Sequence, residues 1–176
     1  MITEANILKP TVIEVAKKML IAARTAPKAR GQDYLVLKIA EQNEIELISK
    51  KMREMAGSSG NAFFTRDADN ILLADCIVLL GTKIKSRGLA GCGHCGFENC
   101  AEKDKFPNTP CTFDTGDLGI AIGSAVSVAM DNRIDNRVMF SIGHVVMALG
   151  LMGSDVKIVY GIPLSASSKN PFFDRK

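Results

Sequence analysis

Leu118-Gly119-Ile120-Ala121-Ile122-Gly123-Ser124-Ala125-Val126-Ser127-Val128-Ala129-Met130 is apolar and built mostly from small residues. A helix of that composition packs tightly against neighbours on most of its circumference, so residues 118–130 are expected in the interior. The polar run Asp131-Asn132-Arg133-Ile134-Asp135-Asn136 interrupts it, and residues 138–149 read as a second buried helix. Met139 and Met147 on that helix are expected as core residues, since methionine fills irregular gaps in apolar interiors. His144 is expected there too, as a core histidine satisfied by one partner. Val156-Lys157-Ile158-Val159-Tyr160-Gly161-Ile162-Pro163 reads as the last strand, and residues 164–176 as a polar tail with two phenylalanines.

Toward the N-terminus, Val12, Val15, Ala16, Met19, Leu20 and Ala23 recur at helical spacing, with Lys17 and Lys18 on the other side. Pro10 suits the first turn of that helix, which is expected over residues 10–25. Ala26-Pro27-Lys28-Ala29-Arg30-Gly31-Gln32-Asp33 breaks it, and residues 34–39 form a strand of mostly buried type. Ile45, Leu47, Ile48, Met52 and Met55 among charges mark a helix over residues 41–56, which Gly57-Ser58-Ser59-Gly60 ends. Residues 61–69 read as a short helical segment, with Asp67 and Asp69 as a solvated turn. Residues 71–80 hold a second strand, in which Cys76 is a core thiol.

Between these halves lies Cys92-Gly93-His94-Cys95-Gly96-Phe97-Glu98-Asn99-Cys100, answered by Cys111. The spacing is C-x2-C-x4-C-x10-C, and four of the five cysteines fall within twenty residues. A C-x2-C turn lets two sulfurs converge on one side of a tight loop, and Gly93 and Gly96 permit the torsions that wrapping an inorganic core requires. The turn's amides are then placed to donate hydrogen bonds to cluster sulfurs. Three ligands from one loop and a fourth from elsewhere suit a four-iron [4Fe–4S] cluster on Cys92, Cys95, Cys100 and Cys111. Zinc on the same four thiolates is the alternative, although zinc knuckles usually present two matched pairs. A third reading, a thioredoxin-like dithiol at Cys92 and Cys95, requires a preceding strand and a helix opening at the first cysteine. Without a bound centre this glycine-rich and polar loop has little to order it.

The run from Cys92 to Cys100 with its distant fourth cysteine resembles the four-iron ferredoxin-type domain of anaerobic electron-transfer subunits and corrinoid iron–sulfur proteins. A second resemblance is spread along the chain. Ala23-Arg24-Thr25-Ala26-Pro27 after an amphipathic helix, Ala148-Leu149-Gly150-Leu151, Gly161-Ile162-Pro163 and Lys169-Asn170-Pro171-Phe172-Phe173-Asp174-Arg175 are similar to the nitroreductase family. That likeness implies an α+β homodimer with a mixed or antiparallel sheet, packed helices and flavin mononucleotide, FMN, at the subunit interface. The family's arginine–serine–arginine phosphate motif is not found in Glu4-Ala5-Asn6-Ile7-Leu8-Lys9. A phosphate needs cations, and Arg24, Lys28, Arg30, Lys169 and Arg175 are the candidates; for Arg24 and Lys28 the other reading is complementing the negative end of a helix. Together, a nitroreductase-like body over residues 1–176 with a cysteine loop inserted at residues 88–115 resembles a family of uncharacterised ferredoxin-domain proteins.

The function expected is electron transfer or oxidoreduction, with a redox partner protein or a small electron acceptor; the alternative is a zinc-bearing interaction module. A net charge of +3 with scattered basic residues gives no footprint for nucleic acid, and 6% aromatic residues are too few for a base-stacking platform. Met1-Ile2-Thr3-Glu4-Ala5 is not a basic lead into an apolar core, and no apolar run of about eighteen residues occurs, so no membrane association and a cytoplasmic location are expected. With His94 and His144 as the two histidines, no nucleophile–base–orienter set is visible.

Overall fold

Thr3 stands in extended backbone, and its amide donates to Asn6 Oδ1 at 3.3 Å, which starts helix α1 (Glu4–Thr25) well before the expected Pro10. Pro10 therefore lies inside the helix and removes the ladder bond its amide would have made. The computed structural model describes residues 1–173. After a 3₁₀ turn at Ala29–Gly31 come β1 (Leu35–Ala40), α2 (Gln42–Ser59), α3 (Ala62–Ile71) and β2 (Cys76–Lys83). The cysteine segment follows, carrying α4 (Cys100–Asp104), and then α5 (Thr112–Asp131), β3 (Asp135–Asn136), α6 (Phe140–Ala148) and β4 (Val156–Ser165). A 3₁₀ turn at Pro171–Phe173 closes the described chain.

The four strands lie in the order β1-β2-β4-β3, and every neighbouring pair is antiparallel. Side chains alternate across a strand, so β2 feeds two cores. Cys76, Val78 and Leu80 join α1 and α5 on one face, while Ile77 and Leu79 join α2, α3 and α6 on the other. The fold is α+β, with helices layered on both faces of an antiparallel sheet.

Four expectations are corrected. Ile71 ends α3 rather than opening a strand, and β2 begins at Cys76 after the turn that follows α3. His144 is exposed: Ile142, Val145 and Val146 take the inward side of α6, leaving the imidazole between the rings of Phe64 at 6.1 Å and Phe140 at 5.7 Å. Asp67 is not in a solvated turn but 4% exposed inside α3, where it accepts from Ser141 Oγ and from Arg66. Helix α5 buries Leu118, Ala121, Ala125 and Ala129, packs Ile122, Val126 and Val128 beside them, and leaves its remaining side open. Its far side leaves Ile120 50% and Met130 59% exposed. Met139, by contrast, sits in the core as expected, and Met147 packs against it.

Two glycines let α6 lie unusually close to β4. A Cβ on Gly143 would fall 1.7 Å from the Val159 carbonyl oxygen, and one on Gly161 2.2 Å from Ile142.

Candidate metal centre

The chain leaves β2 at Lys83 and does not form regular structure again until α4. Gly93 and Gly96 have φ of +61° and +85°, a region that costs glycine little, and the Gly96 amide donates to the Gly93 carbonyl at 2.9 Å to close the C-x2-C turn. Neither Cys92 nor Cys95 opens a helix, so the structural context of a thioredoxin-like dithiol is not the one found. Cys100 is the first residue of α4, where Asn99 Oδ1 accepts from the Glu102 amide at 3.0 Å. Cys111 is the N-cap of the long helix α5, and Thr112 Oγ1 next to it donates to the His94 carbonyl at 3.1 Å. That bond holds the turn against the start of α5.

Cys92, Cys95, Cys100 and Cys111 are free thiols that line one concavity, together with Arg87, Phe97 and Phe113. Three are partly exposed and Cys111 is buried. Among the described residues, no three His, Cys, Asp or Glu side chains close to the separation that a single ion requires. Four soft donors, a glycine turn and the positive end of a long helix are a donor set that fits an iron–sulfur cluster.

Behind the concavity lies a buried ionic group not foreseen from the sequence. Arg87 Nη2 meets Asp117 Oδ2 at 2.7 Å and stands 3.2 Å from Asp114 Oδ1, which is out of line for a hydrogen bond. Asp114 Oδ2 accepts from the Lys85 amide at 2.9 Å, and burial pushes its carboxyl up against the pull of that amide and of Arg87. Arg87 Nη1 reaches the Gln32 carbonyl at 2.9 Å, and the guanidinium lies over the Tyr34 ring. Asp117 also accepts from the Ala29 amide at 3.1 Å. Lys103, on α4, is buried as well. The partners of Arg87 are drawn from two distant segments, residues 30–34 and the first turns of α5, and no local spacing marks them.

The candidate phosphate cations meet different fates. Lys28 Nζ donates to the carbonyls of Ala23, Arg24 and Ala26 at 2.7, 2.7 and 2.6 Å, so its three protons are occupied by the C-terminal end of α1. Burial pushes its amine down, with Asp33 at 3.8 Å pulling the other way. Arg24 pairs with Asp33 at 2.7 Å. Burial acts to raise the Asp33 carboxyl, but the Leu35 amide and Arg24 more than offset it and hold the group below its ordinary range. Arg30 Nη1 donates to the Arg87 carbonyl at 2.7 Å. Lys169 is exposed beyond β4, and Arg175 lies outside the described residues. Arg24 and Lys28 thus meet at Asp33 and complement the helix end. Lys28→Met is expected to cost on the order of 1–2 kcal/mol in urea unfolding, by stripping that end of its cation.

Among the described residues, no helix is long and apolar enough to cross a membrane. Residues 108–175, which include Cys111, match the family model described as "Uncharacterized protein containing a ferredoxin domain (DUF2148)". Among solved structures, a nitroreductase family protein from Clostridium novyi superposes with a TM-score of 0.62 at 14% identity, over 92% of this chain and 76% of that one. A nitroreductase with bound FMN from Bacteroides fragilis gives a TM-score of 0.60 at 11% identity, over 93% of this chain and 81% of that one. Identities this low establish a shared fold. An uncharacterized protein of Archaeoglobus fulgidus is 42% identical over 164 residues, covering 89% of this chain and 88% of the relative. Likeness of that extent is family membership, and the chain belongs to the family of uncharacterized proteins containing a ferredoxin domain.

Proposed function

We propose that this protein is an iron–sulfur electron-transfer protein or oxidoreductase, with a [4Fe–4S] cluster held by Cys92, Cys95, Cys100 and Cys111. The observation that carries the reading is that all four thiols line a single concavity although they come from a loop and two helix starts. A four-iron cluster exchanges single electrons when bound. The chain supplies the rest. Cys111 stands at the head of α5, the end of a helix that favours a negatively charged ligand. The Phe97 and Phe113 rings limit water at the concavity, which sets how strongly nearby charges act on it.

The alternative of structural zinc asks four sulfurs to gather around one ion at about 2.3 Å each. Three ligands from one loop and a fourth from the head of α5 suit a four-iron cluster better than the two matched pairs of a zinc knuckle.

The likeness to nitroreductases, one of them with bound FMN, supports FMN as a second cofactor. A homodimer is the working assembly that the resemblance implies. The free apolar side of α5, with Ile120 and Met130 exposed, supports a further surface packing there. Lys28 does not fit as a phosphate ligand, because its protons are already taken. A redox partner protein or small acceptor in the cytoplasm would complete the circuit, and reduced thiols suit that compartment.

Anaerobic purification with assay of iron, acid-labile sulfide, zinc and released flavin tests all of this at once. Four irons and four sulfides per chain are expected, following the stoichiometry of such a cluster, about four of each. Zinc without sulfide would replace the electron carrier with a structural knuckle, and flavin below one per chain would remove FMN.

A further inference from the structure

Arg87 is 2% exposed, yet it lines the same concavity as the four cysteines. A guanidinium presents five N–H donors in one rigid plane. Here the far edge is fixed, with Nη1 on the Gln32 carbonyl, Nη2 on Asp117 and the plane laid over Tyr34. The Nε atom has no partner. A buried donor left without an acceptor is costly, and a buried cation more so. The rest of the side chain has no slack to turn Nε elsewhere, because two hydrogen bonds and a ring stack hold the plane.

We infer that Arg87 is a positioning residue for the group held in the concavity, with Nε–H donating to a sulfur of that group. The assignment rests on the iron–sulfur reading above. It also explains why a cation is buried beside two carboxylates at this place. Asp117 fixes the guanidinium in orientation, and the Arg87 carbonyl accepts from Arg30 at 2.7 Å while Asp117 accepts from the Ala29 amide at 3.1 Å. Arg87 therefore joins the concavity to the basic turn after α1, so the two candidate cofactor regions share one brace. A hydrogen bond to a cluster sulfur favours the more negative, reduced form, and its loss moves the potential down.

The test uses wild-type, Arg87→Lys and Arg87→Gln proteins loaded anaerobically with iron and sulfide. Each is titrated potentiometrically with EPR detection and then challenged with an iron chelator. Both variants are expected to show a more negative midpoint than wild type, and Arg87→Gln to hold iron on the order of 10–100-fold less tightly. Arg87→Lys, which keeps the charge but loses the planar fork, should fall between. A merely structural role would lower the melting temperature and leave the midpoint of the loaded protein in place. An unchanged midpoint in a folded variant overturns the assignment and leaves the cluster reading standing. Wild-type protein that takes up no iron and sulfide overturns both. Where Arg87→Gln does not fold, because two carboxylates are left without their cation, Arg87→Lys decides.

Discussion

Gly143→Ala is expected to destabilise the protein by about 3 kcal/mol or more, at or beyond the upper end of overpacking costs. The added Cβ would sit 1.7 Å from the Val159 carbonyl oxygen and 2.4 Å from its carbon. Both are backbone atoms in a central strand, so no rotamer change relieves the clash. Helix α6 would have to lift off β4, opening the core around Ile142, Val145 and Val146. The sign is informative, because alanine in an open helix position gains about 1 kcal/mol over glycine. Gly123→Ala on α5, where nothing lies within 4 Å, is expected to show that gain in the isolated chain. Urea unfolding of the two variants side by side separates close approach from helix propensity. A neutral Gly143→Ala would mean that α6 does not lie where it is described.

Cys95→Ser is expected to abolish the visible absorbance of the loaded protein and to drop its iron and sulfide well below the wild-type content. A serine hydroxyl is a hard and weakly acidic donor, and a cluster with three thiolates left is exposed to solvent and oxidation. The body should survive the change. No residue between 84 and 111 belongs to either core, so the far-ultraviolet circular dichroism and melting temperature are expected to stay near wild type. A variant with an unaltered absorption spectrum would remove Cys95 from the ligand set. One that loses both colour and fold would show that the centre also supports the body.

Helix and strand identity was legible where periodicity is local. The stripe Val12, Val15, Ala16, Met19 and Ala23 is the buried face of α1, and β4 runs through the expected strand. The misreadings share a physical cause. Asp67 looked solvated because its neighbour Asp69 is charged, but its hydroxyl partner Ser141 lies 74 positions away. Pro10 looked like a helix start because the Thr3–Asn6 cap upstream has asparagine where a capping box usually shows glutamate or glutamine. Small residues on α5 told of close packing without telling on how many sides. At the centre, the cysteines announce themselves by spacing and by the glycines between them. Arg87, Asp114 and Asp117 carry no such mark, since their pairing exists only once β2 and α5 have brought residues 30 positions apart together.

Cys76 gives the chain an internal ruler. It lies on β2 with no exposure, and burial, helped by Asp75 and Glu41, pushes its thiol up to about 12. Alkylating reagents attack thiolates, so at neutral pH this sulfur stays silent until the protein unfolds. Every thiol that reacts with the native protein therefore belongs to the loop. Counting alkylated sulfurs by mass, before and after denaturation, reads the fraction of chains whose centre is filled, with Cys76 as the fixed zero in each molecule.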